Sequence, residues 1–557
     1  MEWKPIQEFT LRGTFGIYTQ TSNTDNYLPP EHTSFADYTD ENYFRRGSYD
    51  YSTNKSSRYN FSLTANYSKV FAEKHMVYAG LNMDLEDQRS RGYSFSVEGF
   101  PSGSLDFLSV AMQYKENGKP GGSESKRRRV GFVGNASYSF EDRYFVDASF
   151  RTDGSSLYGS DRRFAPFWSA GIGWNIHREG FMSDVDWINR LKIRASVGET
   201  GSNNFSSYEA MATYAYSLSD RYYNWMGANM KALANPDLEW QKTMKYNAGI
   251  EVNMLNNRLS MICDLYLERT NGLMSSLELP PSNGFSSYKA NIGKLENKGF
   301  ELKVTGYLLR DTERELIWSV TGSLVRNKDK IIELSEAMKE ANATLLETGG
   351  ATPNKIWQEG DSQNAIYAVR SLGIDPSNGR ELFLKKNGEV TYTWDANDRV
   401  FCGVDQPDYR GNINTMFMWK DLSVNLSFGY EWGGQQYNST LISRVENADK
   451  KYNVDRRVYE DRWKEPGDRT FFKGINETTA TQATSRFVQD EATFTCQNLN
   501  VTYDLKGNKW LKRNLGIQTL TLKGDIADLF RISTIKQERG TSYPFSRQFS
   551  FTLSAMF

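Results

Sequence analysis

The sequence predicts an all-β fold, a transmembrane antiparallel β-barrel, on three observations. Apolar and polar residues alternate with a period of two from one end of the chain to the other. That is the spacing of strands with one face in hydrocarbon and one in water. Aromatic residues make up 14% of the 557 residues, with 32 Tyr, 32 Phe and 13 Trp, while hydrophobic residues reach only 38%. Such a chain is too aromatic for disorder and oddly polar for a globular protein of this size; aromatic girdles at two membrane interfaces reconcile the two. Third, tight polar turns alternate with long loops, the asymmetry of an outer-membrane barrel. No apolar run approaches the ~18 residues of a membrane helix, which excludes a helical membrane protein.

The elements follow in order. The chain opens in a strand, Phe9–Tyr18. Phe132, Gly134, Ala136, Tyr138 and Phe140 share a face and meet a Glu141-Asp142-Arg143 turn, after which Tyr144, Val146, Ala148 and Phe150 return against Asp147, Ser149 and Arg151. Tyr246, Ala248, Ile250, Val252 and Met254 oppose Asn247, Gly249, Glu251 and Asn253; Asn256-Asn257 turns the chain, and Leu259, Met261, Cys263, Leu265 and Leu267 oppose Ser260, Asp264, Tyr266 and Glu268. Each pair is a hairpin with one greasy and one polar face. Phe300 to Leu308 and Leu316 to Leu324 repeat the unit around Asp311-Thr312-Glu313, and Phe417-Met418-Trp419 and Leu422 to Phe428 repeat it around Lys420-Asp421. Phe549, Phe551, Leu553, Ala555 and Phe557 close the chain against Ser550, Thr552 and Ser554. We count about 16 such strands, most of them near the ~10 residues of a tilted membrane strand. One domain, 1–557, is expected, with long loops at about 92–125, 201–240, 328–410 and 433–489. One helix is expected, Lys330–Glu347, from helical spacing and good helix formers inside the longest loop.

Composition excludes several functions. With 67 Lys+Arg against 68 Asp+Glu the net charge is −1, and nothing general points to a nucleic-acid partner. Cys263, Cys402 and Cys496 are far apart and form no CxxC or disulfide framework. His32, His75 and His177 are isolated, and there is no HExxH, phosphate loop, nucleophile elbow or zinc spacing. The chain is therefore not expected to be an enzyme, and no cofactor or metal is expected. Asp395, Asp398, Asp405 and Asp408 offer oxygens to calcium, but their spacing does not fit an EF-hand, and solvated turn carboxylates are the simpler reading.

Three further groups stand out. Lys126-Arg127-Arg128-Arg129 is a basic run at a strand end, facing either solvent or lipopolysaccharide phosphates. Tyr222-Tyr223-Asn224-Trp225 and Tyr430–Tyr437, with Trp432 and Gln435, join flat rings to amides. Such sets stack on and hydrogen-bond sugars, so Tyr222, Tyr223, Trp225, Tyr430, Trp432, Gln435 and Tyr437 are candidate substrate-binding residues; the competing reading puts the rings in the interfacial girdle or in loop cores. Asn247, Glu251, Asp264, Glu301 and Lys303 face the polar side, where they line a solute path or brace the interior.

Several segments resemble the SusC/RagA family of TonB-dependent outer-membrane transporters. They are Tyr138–Gly159 (YSFEDRYFVDASFRTDGSSLYG), Phe167–Ile176, Leu191–Gly201, Asn235–Trp240, Lys242–Gly249, Asn291–Glu301, Gly373–Gly379 (GIDPSNG), Ala492–Leu505 and Tyr543–Phe557. The matches are collinear and span nearly the whole chain. The resemblance implies TonB-driven import of a nutrient oligomer, oligosaccharide or peptide, by a plugged 22-strand barrel in the outer membrane of a Bacteroidota-type bacterium. It implies a SusD-like surface lipoprotein as a lid. It implies that Phe557, with Phe549 and Phe551 on the last strand, forms the aromatic signal read by the barrel-assembly machinery. The sequence departs from the family at its front: no plug pattern and no TonB-box-like segment is found, and Met1-Glu2-Trp3-Lys4-Pro5 is no signal peptide. A C-terminal barrel portion of such a transporter, with TonB contact through the absent plug, is therefore expected; a scaffold barrel and a passive porin are the alternatives.

Overall fold

The computed structural model describes all residues except 117, 159–162, 203–207, 209–210, 224, 236–237, 279–283, 286, 292, 348, 450, 452–453, 507–508 and 537–546. Among the described residues the main element is an antiparallel sheet of eighteen strands. Sixteen are long and follow one another as a meander. They are β1 (Phe9–Leu28), β2 (Ser48–Phe71), β3 (His75–Glu98), β4 (Gly121–Phe140), β5 (Tyr144–Ser155), β6 (Phe164–Asn175), β7 (Ile188–Ser202) and β8 (Gln241–Met254). The second half continues with β9 (Leu259–Asn271), β10 (Gly293–Asp311), β11 (Leu316–Leu334), β12 (Tyr409–Trp419), β13 (Leu422–Tyr437), β14 (Val488–Lys506), β15 (Thr519–Ser533) and β16 (Gln548–Met556). Two short strands complete the sheet: Glu2–Ile6 on β1 and Gln113–Tyr114 on β3.

Register carries the alternation across the sheet. One row of directly paired residues runs from β6 to β15 through Trp174, Ile193, Ile250, Cys263, Leu302, Leu324, Gly411, Tyr430, Phe494 and Ile532. The row one residue away, from β7 to β15, reads Arg194, Gly249, Asp264, Glu301, Val325, Arg410, Glu431, Thr493 and Ser533. Side chains on a strand alternate between faces, so these rows lie on opposite sides of the sheet. The first face is hydrocarbon and aromatic, and many of its rings stand exposed, among them Phe15, Trp168, Tyr246 and Phe551. The second face pairs its charges: Arg194 holds Asp264 through two hydrogen bonds of 2.8 and 2.7 Å, and Arg190 lies 3.2 Å from Glu251.

The turns at one end are short and locally determined. Residues with positive φ occupy them: Ala72 and Glu73, Glu141 and Asp142, Leu255 to Asn257, Glu315, and Lys420. Among non-glycine residues Asn and Asp tolerate the left-handed region best, as at Asp142, Asn256 and Asn257, and the Asp311 carboxylate accepts from the backbone N–H of Glu313 and Arg314. A row of rings lies beside these turns on the apolar face. His75 packs at a tilt against Phe140, Phe140 stacks against Tyr144, and Tyr144 against Trp174, with centroids 5.0, 6.5 and 6.4 Å apart. Tyr144 and Trp174 both donate to Glu179. This is the girdle that the composition predicts.

The other end differs from expectation in three places. β3 runs on to Glu98 and β4 begins at Gly121, so the connection expected at 92–125 is the shorter 99–120. The segment Lys330–Leu334, expected to be helical, stays in β11, paired with β10 as far as Leu334; the helix, α1, is Glu336–Glu347. The cause is burial: Ile331 and Leu334 pack with Leu295, Met338 and Trp357, and that cluster keeps the segment extended, through a bulge opposite Lys294 and Leu295. Third, the loops carry their own structure. Residues 335–408 contain α1 and a four-stranded sheet of Val390–Thr391, Glu381–Leu384, Ala365–Ile374 and Arg399–Val404. The described residues of 438–487 include short helical turns around a core of Leu441, Ile442, Val445, Val458, Phe472 and Phe487.

Candidate functional site: an aromatic cleft between two loops

The two largest loops meet over a buried arginine. The Arg486 side chain is 4% exposed and lies 2.8 Å from both the Glu381 and Glu446 carboxylates, which belong to the small sheet and to the 438–487 loop. Burial alone would pull the guanidinium down, but the two carboxylates more than offset this and raise it above its ordinary value. Thr481 donates to Glu446, and the buried Arg462 donates to the backbone carbonyls of Val445 and Glu446. The loops are thus tied by a buried charge network in which loss of either carboxylate or of Arg486 strands a charge.

Beside this network lies a cleft of about 500 Å³. Phe383, Tyr392 and Trp394 supply rings, Arg380, Lys473 and Glu477 supply charges, and Thr479 and Gln482 supply hydroxyl and amide groups. The Arg380 guanidinium sits 4.9 Å over the Tyr392 ring, and that of Arg399 5.4 Å over Trp394. Trp394 donates to the carbonyl of Ala483 at 3.1 Å, which anchors the ring to the opposite loop. Tyr392 donates to Asp375, and that bond with the Ser377 N–H holds the Asp375 carboxyl below its usual range. The Thr479 hydroxyl and N–H do the same for Glu477, helped by Lys473 and Arg380. Burial pushes the Lys473 ammonium down; it donates to the Thr479 carbonyl. The GIDPSNG segment shapes the rim: Gly379, at φ +72°, lies beneath the Trp463 ring, where a Cβ would stand 2.4 Å from a ring carbon. The cleft offers flat apolar surfaces bordered by fixed polar groups, and it can stack on and hydrogen-bond a polar oligomer.

The residues expected from sequence to bind substrate fall elsewhere. Tyr222, Tyr223 and Trp225 sit at the tip of a hairpin, Thr213–Tyr222 with Trp225–Ala232. Tyr223 is 90% and Trp225 77% exposed; the side chain of Tyr222 and residue 224 lie outside the described residues. Tyr430 and Trp432 both lie on the apolar face of the sheet. Tyr430 packs over Gly411 and donates to the Ser323 carbonyl, and Trp432 stacks between Tyr409 and Tyr430 at 5.2 and 5.5 Å. The alternation of β13 places them with Phe428 rather than with Glu431. A bulge at Gly433 then resets the register, and Gln435 and Tyr437 brace the loops. Gln435 bonds Val404 and Asp490, and Tyr437 donates to the Ala351 carbonyl. Phe549 and Phe551 pair outward with Ile526 and Gly524 on β15, and Phe557 follows β16, exposed.

Sequence reading missed the cleft because its members come from distant segments. The Tyr392-Thr393-Trp394 run in the longest loop was the signal available. The four aspartates of that loop are not gathered. Asp395 caps a turn at Asn397, Asp398 accepts from Lys386, Asp405 donates its N–H to the Asn364 carbonyl, and Asp408 faces Lys328 at 3.3 Å.

Comparison with known proteins follows the same lines. Residues 2–338 match the family model "TonB dependent receptor-like, beta-barrel". TonB-dependent receptor P39 of Formosa agariphila is 24% identical over 517 residues, 84% of this chain and 48% of that protein. TonB-dependent receptor SusC of Bacteroides thetaiotaomicron is 28% identical over 333 residues, 57% of this chain and 32% of that protein. The chain thus spans about half the length, or less, of the curated relatives it matches. Among solved structures, the RagAB peptide transporter superposes with a TM-score of 0.81 at 22% identity, over 96% of this chain and 57% of the other, which shows a shared fold. The chain belongs to the TonB-dependent receptor β-barrel family, to which the SusC/RagA resemblance pointed.

Proposed function

We propose that this chain forms the outer-membrane wall and outer loops of a TonB-dependent importer of a nutrient oligomer, an oligosaccharide or a peptide. One observation carries the reading: adjacent rows of the same strands are apolar on one side and charged on the other, which suits a wall between lipid and a watery interior. The whole of 1–557 then acts as one unit, with its long loops on the cell surface. The cleft around Trp394 makes the first contact with cargo, and a SusD-like lipoprotein covers the loops. TonB supplies energy through a plug region outside this chain, and no covalent step is involved. The relatives' names support this reading: SusC is a TonB-dependent receptor, and RagAB a peptide transporter.

The test is growth of the source bacterium on oligomers of increasing size after deletion of this gene, and separately of TonB. Loss of growth on an oligomer but not on its monomer, in both strains, is the expected result. Unchanged growth in the gene deletion, or a large steady conductance of the purified chain in a planar bilayer, would favour the scaffold or the passive pore. Phe557 serves assembly in this reading: its deletion is expected to remove the heat-modifiable form from the membrane fraction.

A further inference from the structure

The loop after β1, residues 29–47, and the loop after β3, residues 99–120, are joined at their roots. The Arg45 guanidinium lies 2.7 Å from Glu98 and 2.6 Å from Glu116. Gln113 also donates to Glu98, whose side chain is buried. The backbone N–H groups of Gly99 and Phe100 donate to the carbonyls of Gly47 and Arg46, at 3.1 and 2.9 Å. Two glycines permit this crossing. Gly47 and Gly99 stand at φ +82° and +83°, and a Cβ on Gly99 would lie 2.7 Å from the Met112 Cβ and from the Phe44 carbonyl oxygen.

Between these loops lies a cleft of about 400 Å³ that shares no residue with the one around Trp394. Pro30, Tyr43, Phe44, Phe100 and Met112 make most of its lining apolar. Phe100 is its fixed part, buried and edge-on to Tyr27 at 5.1 Å. Tyr43, Phe44 and Met112 stay exposed around it. Two charged side chains, Arg46 and Glu31, also line the cleft. They form no ion pair with each other, and among the described residues neither side chain has another ion pair or a hydrogen bond. The Arg46 guanidinium lies 5.0 Å over the Tyr43 ring, and its Nε is shut off from solvent without an acceptor. A desolvated donor left unmatched costs free energy that a ligand acceptor recovers.

We propose that this cleft binds a small apolar zwitterion, an amino acid with a large apolar side chain or a dipeptide of such residues, with its carboxylate on Arg46 and its ammonium on Glu31. The planar arginine fork matches a carboxylate in two parallel bonds, and such charge-assisted bonds are the stronger ones. Arg46 and Glu31 do not meet directly, so a ligand that carries both charges answers both at once. Its side chain is then covered by Phe44, Phe100 and Met112, in the usual pattern of a mostly apolar wall with a few placed polar groups. A simple anion would answer Arg46 but stand against Glu31. A hydrocarbon would answer neither charge, and a neutral sugar has no charge to offer. The site stands whether or not the Trp394 cleft receives cargo.

The experiment is calorimetric titration of the purified full chain, in neutral detergent, with phenylalanine, phenylalanyl-phenylalanine, N-acetylphenylalanine and phenylalaninamide. A zwitterion is expected to bind, and the two singly charged analogues at least about tenfold more weakly, since each lacks one charge-assisted bond. Arg46→Gln and Glu31→Gln should each weaken the zwitterion by a similar factor, whereas Trp394→Ala leaves it unchanged. Glu31 is exposed, so Glu31→Gln keeps the test open if Arg46→Gln loses its heat-modifiable fold. Tighter binding of phenylalanine names the free amino acid as the source of this chemistry, tighter binding of the dipeptide names the short peptide, and either supports the site. Equal binding of a singly charged analogue, equal loss from Trp394→Ala, or no binding of any of the four compounds overturns the proposal.

Discussion

The two ends of the sheet are built by different rules. At the short-turn end a few residues with positive φ, such as Leu255 to Asn257, reverse the chain between strands that pair register by register. At the long-loop end, 335–408 and 438–487 fold as small bodies, and a contact such as Arg486 to Glu381 joins residues 105 apart in sequence. One end is determined by neighbours and the other by partners that no local pattern reveals. Replacing a loop partner should therefore unmake one end and spare the other. Arg486→Met leaves Glu381 and Glu446 buried without their cation, at a cost of about 3–5 kcal/mol. Hydrogen exchange should quicken across 371–394 and 438–487 while β8–β10 stay protected. Exchange rising equally in both places would mean that the loops and the wall form one cooperative unit.

The second prediction tests the wall itself. Leu265 and Asn247 lie on adjacent strands but on opposite faces, since Leu265 pairs with Ala248. Leu265→Arg places a cation in hydrocarbon at about 2–4 kcal/mol near the bilayer midplane. Asn247→Arg places the same cation opposite Tyr266, between the positions of Asp264 and Glu268 on the wet side. The first should reduce the heat-modifiable protein in the membrane fraction and the second should not. Equal tolerance would show that the apolar row does not meet lipid.

What the sequence made legible follows the same division. The hairpins around Asn256-Asn257, Asp311 and Lys420 were readable because period two and turn chemistry are local properties. The faces were readable too, because a register slip of one residue would turn every apolar side chain inward. Lys330–Leu334 misled because its spacing suits a helix while burial against Leu295 and Trp357 keeps it extended. Tyr430 and Trp432 left two readings open because composition shows a ring and an amide together but not which face each takes. The cleft was out of reach: Trp394 owes its position to the Ala483 carbonyl, 89 residues away.

A smaller effect separates girdle rings from cleft rings. Trp394→Ala removes a stacking surface from the cleft, whereas Trp432→Ala thins a ring cluster that faces lipid. An aromatic stack contributes roughly 0.5–1.5 kcal/mol beyond its buried area. Affinity for an oligomer that supports growth, measured by calorimetry on purified protein, should fall several-fold in the first variant and stay constant in the second. The reverse would return Trp432 to the binding surface.

The smallest effect is one of pH, and it should touch the loops alone. Asp375 and Glu477 are both held below the ordinary carboxylate range, by Tyr392 and by Thr479 respectively. A carboxyl with a lowered folded pKa adds stability that is complete above its unfolded value, roughly 4, and is lost as the pH falls through the folded value. Cleft affinity should therefore be flat between about pH 5 and 8, because neither group changes charge there. Below roughly pH 4 exchange should accelerate over 371–394 and 463–482, once corrected for intrinsic rates. The short-turn hairpins are held by backbone conformation and hydrocarbon contact, so their protection should persist through the same titration. Loosening of the loops already near neutrality would mean that these two carboxylates do not hold the cleft. Loosening of the hairpins in step with the loops would mean that the two ends are not independent.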